Sequence, residues 1–252
     1  FASHPHPDHF DIDFLLAQTR PIYIPNFNAA ASTILTGRTD LRLLTPWEFQ
    51  QIGPFEVTCT NAFNGPDFDS TFLVKHAGTT FVLGSDNSPK ALDLVQRCHT
   101  ELNGVNLAAL NYSRADGHPG MFFNLSEEEM IQVRKNKLET TFEIMVEALK
   151  VLQPEYVLPY AGDYELRAER QGVKPLLGLC APDEVIAYLR DELPTAEVLH
   201  PSHGARWTFD ENGKLLETES IADTLVASSP VPSAAWYEGD EVPRHVIRKL
   251  RK

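Results

Sequence analysis

Three histidines and an aspartate fall within six consecutive positions at the start of this chain, His4-Pro5-His6-Pro7-Asp8-His9. In extended backbone, residues two apart project to the same side, so His4 and His6 can share one ion. Pro5 and Pro7 push the histidine before each of them away from helical dihedrals and hold that extended geometry. Phe1 and Ala2 read as the end of a strand, and Phe10 to Gln18 as a helix start. The change of direction between them aims Asp8 and His9 at a second ion nearby. Neutral imidazole with carboxylate suits zinc, iron or manganese, so the expected cofactor is one or two divalent metal ions.

Composition fits an enzyme of one main domain. A chain of 252 residues can bury a sizeable core. No apolar run approaches the roughly 18 residues needed to cross a bilayer. With 22 basic and 35 acidic side chains the formal charge is -13, which disfavours nucleic acid as a partner and requires a local basic pocket for any anionic small-molecule substrate. Cys59, Cys98 and Cys180 are odd in number, widely spread and without a Cys-x-x-Cys pair. They predict buried apolar fillers in a reducing, cytoplasmic compartment rather than disulfides or a zinc knuckle.

Strands and helices alternate along the chain. Ile22 to Ile24 and Phe55 to Thr60 read as strands, and Thr71 to Val74 with Thr79 to Leu83 as a hairpin turning through His76-Ala77-Gly78. Val105 to Leu110 and Tyr156 to Tyr160 are further strands, followed by Glu197 to Leu199 and Ala205 to Phe209. Ser126-Glu127-Glu128-Glu129 has the capping-box arrangement, and Leu138, Phe142, Met145, Leu149 and Leu152 continue it as one apolar stripe that Pro154 stops. Pro182 to Leu193 predicts a second helix. The expected organisation is a domain over 1–227, then a Ser/Pro linker and basic tail over 228–252.

His-x-His-x-Asp-His, followed later by the strand Thr79 to Leu83 and Gly84-Ser85-Asp86, resembles the metallo-β-lactamase superfamily. The resemblance implies an α/β fold, an αββα sandwich whose first strands precede the motif and so are expected to lie outside this chain. It also implies two ligands from the motif for each of two metals, with Asp86 as the bridging aspartate. Members complete each site with a further histidine. None lies between His9 and His76, and His76 falls in the hairpin turn, facing away. Asp67 or Asp69, in Asn61 to Asp69 before the hairpin, is a candidate replacement; the same cluster also reads as a simple turn.

The late histidine is replaced by Val157-Leu158-Pro159-Tyr160-Ala161-Gly162. This stretch, with Asn111-Tyr112-Ser113-Arg114-Ala115-Asp116-Gly117-His118-Pro119 and Ser202-His203-Gly204-Ala205, is similar to the metallo-β-lactamase domain of CMP-N-acetylneuraminate hydroxylases over most of residues 1 to 210. That resemblance implies a Rieske iron–sulfur partner, whose Cys/His pairs are not in this chain. Two chemistries follow. In the first, metals lower the pKa of a bound water that hydrolyses an ester, lactone, amide or phosphodiester, with Asp8 and Asp86 in catalytic positions and Tyr160 donating to the developing oxyanion. In the second, iron activates oxygen and hydroxylates a sugar nucleotide. A third reading is a non-catalytic member that binds a partner. His118, Arg114 and His203 are candidate substrate contacts, arginine because it pairs bidentately with phosphate or carboxylate.

Overall fold

A computed structural model describes residues 1–6, 9–27, 35, 38–61, 69–87, 89–113, 118–120, 124–161, 176–177, 180–202 and 204–220. The chain divides into two units: Phe1–Pro201 with Phe209–Leu215, and Ser202–Thr208 with Leu216–Lys252. The tail expected over 228–252 lies outside the described residues, as do Asp8, Asp67, Arg114 and His203.

The first unit is built on a seven-stranded mixed sheet. Its strands, in both sequence and sheet order, are β3 (Gln50–Ile52), β4 (Phe55–Cys59), β5 (Phe72–His76), β6 (Thr79–Leu83), β7 (Leu107–Asn111), β8 (Tyr156–Tyr160) and β9 (Glu197–Val198). The pairs from β3 to β6 are antiparallel and those from β6 to β9 parallel. Parallel neighbours need crossovers, which are α2 (Leu92–Leu102), α3 (Glu127–Leu152) and α4 (Pro182–Glu192). Because α3 packs on both α2 and α4, the three helices share one face. Their buried stripes, Val95, Cys98 and Leu102 on α2, Met145, Val146, Ala148, Leu149 and Leu152 on α3, and Val185, Ile186 and Leu189 on α4, meet the buried residues of β7 and β8 in one core. Replacing Leu189, which is fully buried, with alanine is expected to cost about 2–5 kcal/mol in chemical denaturation.

Two local signals set the long helix. Ser126 accepts from the Glu129 backbone N–H while the Glu129 carboxylate accepts from the Ser126 N–H, closing the expected capping box. The helix ends at Gln153, whose left-handed backbone is followed by proline.

The amino-terminal segment belongs to a smaller apolar cluster. β1 (Ile22–Pro25) and β2 (Leu41–Leu44) form a separate parallel pair, and Ala2, Phe10, Ile22, Ile24 and Leu35 pack together beside it. The strand expected at Phe1 and Ala2 does not form; the segment makes one ladder-like bond, from the Ala2 N–H to the Tyr23 carbonyl. The short helix α1 (Ile12–Ala17) follows, capped by the Asp11 carboxylate accepting from Phe14 N–H. Arg38 reaches the carbonyls of Leu15, Leu16 and Gln18 at its other end and pairs with Asp40. β10 (Ala205–Phe209) and β11 (Leu215–Ser220) pair in their own sheet, and Arg206 and Glu219 form an ion pair. No helix among the described residues is long and apolar enough to cross a membrane.

All three cysteines are buried and none forms a disulfide, and burial pushes the thiols of Cys59 and Cys98 up to about 12. Both are expected to resist an aromatic disulfide reagent at neutral pH and to react once the chain is unfolded.

Candidate metal centre

The carboxyl ends of the parallel strands are where open α/β sheets place their sites. β6 exits into Gly84-Ser85-Asp86, β7 ends at Asn111 and β8 at Tyr160, with Asn111 and Tyr160 in register. The β6 exit lies tight against β7. The Gly84 N–H donates to the Ala109 carbonyl, and a Cβ at Gly84 would come within 2.9 Å of Leu110 Cδ2 and 3.2 Å of the Ala109 carbonyl oxygen, so any larger residue there would force its neighbours to shift. Ser85 takes a left-handed backbone, φ 51°, and the turn presents Asp86.

The histidine segment folds onto this edge. His6 accepts backbone bonds from His9 and Phe10, curling the chain so that His9 returns beside His4, with ring centroids 4.3 Å apart. His4 is 1% exposed, His6 is exposed and His9 intermediate. His4 Nε2 lies 2.9 Å from His6 Nδ1 and 3.7 Å from Asp86 Oδ2, while His9 Nε2 is 3.2 Å from the same carboxylate oxygen. Asp69 Oδ1 stands 3.6 Å from His4 Nδ1 on the other side. Ligand-type atoms of His4, His9 and Asp86, and of His4, His6 and Asp69, gather within 4.8 Å of one another, with His4 common to both sets.

Burial holds the His4 imidazole below its ordinary pKa; Asp69 and Asp86 oppose this, while His9 and His6 reinforce it. The neutral ring is the form a metal needs. Asp69 Oδ1 is buried and within hydrogen-bond distance of no partner among the described residues. A carboxylate oxygen in that condition is costly unless a cation or donor meets it. The donor set and this orphaned oxygen therefore fit a divalent metal.

Other groups orient the donors. Asn111 Nδ2 donates to Asp86 Oδ1 at 3.2 Å, which leaves Oδ2 facing His4 and His9. The Tyr160 phenol is raised above its ordinary pKa by burial and by the Asp86 charge, against a hydrogen bond from the Ser85 backbone, so it remains a proton donor at neutral pH. Sequence reasoning passed over Ser3 and Ser85, and took Asn111 only as part of a longer resembling stretch; a serine next to a histidine carries no signal of a contact made far along the chain.

Among the described residues, His76, His118 and His200 lie outside this cluster. The ligand-type groups found among the described residues do not include His118, whose carbonyl accepts from Lys137 Nζ. His200 lies against Asp183, with 3.4 Å between Nε2 and Oδ1. His76, as expected of the hairpin turn, sits at the opposite end of β5 and β6, its ring nitrogen on the Pro54 carbonyl.

Among solved structures, the chain is similar to CmlA, a diiron β-hydroxylase from Streptomyces venezuelae, at TM-score 0.53 and 17% identity over 79% of this chain. It is also similar to a possible metal-dependent hydrolase from Veillonella parvula, at TM-score 0.52 and 12% identity over 80% of this chain and 72% of that one. YhfI from Bacillus subtilis, a metallo-β-lactamase fold protein, aligns over 78% of this chain and 71% of that one at TM-score 0.47 and 15% identity. The chain shares its fold with CmlA and with the Veillonella parvula protein. It spans 42% of the length of CmlA. No family model and no curated protein matches it in sequence.

Proposed function

We propose that this chain is a metal-dependent enzyme whose centre is formed by His4, His6, His9, Asp69 and Asp86, with Asp8 as a further ligand, and that it holds iron and hydroxylates an anionic small molecule. The observation that carries this reading is the orphaned, buried Asp69 oxygen beside His4, which adds a carboxylate rather than a further imidazole to the donor set. Either three-residue set, with His4 common to both, offers one ion two histidines and one carboxylate, the combination that suits non-haem iron with open positions. Iron bound there supplies oxygen activation, with electrons from a Rieske-type partner. The chain's own part is to hold the donors. Asn111 fixes one Asp86 oxygen, burial keeps His4 neutral, and Tyr160 keeps its proton beside Asp86. Arg114 and His118 are the proposed contacts for the anionic substrate.

Tyr160 also favours a second reading. A phenol held protonated beside the cluster is a suitable donor to an oxyanion forming during hydrolysis by metal-activated water. Loading the full chain anaerobically with Fe(II) or with Zn(II), then following oxygen uptake with a chemical electron donor and cleavage of ester and phosphodiester probes, separates the two. Iron retention with oxygen-dependent turnover is expected. Zinc retention with oxygen-independent cleavage would establish the hydrolase instead.

A further inference from the structure

We propose that the Ser3 and Ser85 hydroxyls are the positioning groups of the metal centre, holding His4 as the tautomer protonated at Nδ1 so that Nε2 alone is presented to the ion. The inference rests on the reading of His4 as a ligand. Ser3 Oγ lies 3.0 Å from His4 Nδ1 and 2.7 Å from Ser85 Oγ. The opposite ring nitrogen is the one that faces the other donors, 2.9 Å from His6 Nδ1 and 3.7 Å from Asp86 Oδ2. Asp69 Oδ1 also approaches Nδ1, but at 3.6 Å it is beyond a hydrogen bond. With the ion on Nε2, Nδ1 keeps its proton and donates it to Ser3 Oγ, and the Ser3 hydroxyl in turn donates to Ser85 Oγ. A ligating histidine usually spends its second N–H in this way, which fixes the ring and strengthens it as a ligand.

Both ends of the bridge are anchored. Ser3 is 6% exposed, and its carbonyl accepts from the Ser70 hydroxyl at 3.0 Å. Ser85 is held in a left-handed conformation that a residue with a side chain rarely adopts, directly after the glycine wedged against Leu110. It also immediately precedes Asp86. The hydroxyl pair therefore ties the segment carrying the imidazoles to the turn carrying the carboxylate, across 82 positions of chain.

Zinc(II) titration of the full-length chain, combined with nitrogen-15 spectra of labelled histidine in the zinc-loaded protein, tests this. In the wild type His4 should show a proton on Nδ1 and a metal on Nε2. Ser3→Ala should weaken zinc binding by about 10- to 100-fold and broaden or lose the Nδ1 proton signal, whereas Ser3→Thr, which keeps the hydroxyl, should restore both. Ser85→Ala should shift both readouts the same way by a smaller factor, and serves where Ser3→Ala folds poorly. Unchanged affinity and an unchanged Nδ1 proton in the two alanine variants would overturn the inference. If His4→Ala loses zinc and the serine variants do not, the metal reading stands and this one fails. If His4→Ala binds zinc as the wild type does, the metal reading itself fails and takes this inference with it.

Discussion

The double variant His4→Ala/His6→Ala is expected to lose its metal outright. Altering a residue that merely orients a ligand costs about 10- to 100-fold in affinity, so removing two direct donors should exceed about 100-fold. His4 is the larger contributor, because it is common to both donor sets and the most buried of the three histidines. Its ring also packs 4.7 Å from that of His6 and 4.3 Å from that of His9, so its removal frees both neighbours. Metal content after dialysis reads the loss directly. Thermal unfolding reads it again, since an ion that binds only the folded chain stabilises it by mass action, and that increment should vanish in the variant. An unchanged metal content would mean that the histidine cluster is not where the metal sits.

Asp69→Asn is expected to move stability and metal binding in opposite directions. In the metal-free protein the variant removes a negative charge from a buried oxygen that has no hydrogen-bond partner among the described residues, and should stabilise the fold by on the order of 1 kcal/mol. In the loaded protein it removes an anionic ligand, and iron affinity should fall by more than about 10-fold. The opposed signs are the diagnostic. A carboxylate with a purely structural role would lose stability in both states. Asp69→His, which puts an imidazole at this place, should shift the preference from iron toward zinc.

Much of this site could be read from the sequence because its chemistry is local. The spacing of His4, His6 and His9, the two prolines and the strand ending in Gly84-Ser85-Asp86 state the donors and the element that delivers Asp86. The hairpin, the capping box at Ser126 and the stripe on α3 are likewise short-range patterns. What stayed hidden depends on contacts between distant residues or on weak local signals. Helix α2 begins at Ala91 with no side-chain cap, and one of its three buried positions is a cysteine, so it lacked a start signal. β2 carries an exposed arginine and leucine in its middle, and β11 has two adjacent leucines followed only by glutamates, a threonine and a serine; neither shows the buried pattern of a core strand. Ser3, Ser85 and Asn111 matter through groups they touch, which no run of residues announces. The choice between Asp67 and Asp69 was open in sequence. Geometry places Asp69 beside His4 and His6, while Asp67 lies outside the described residues.

Anomalous diffraction at the iron edge from crystals of the iron-loaded full chain tests the central claim most directly. The account predicts a peak within about 2.0–2.2 Å of His4 Nε2 and of a carboxylate oxygen of Asp86 or Asp69. Iron bound elsewhere, or a loaded crystal with no peak among these side chains, would contradict it.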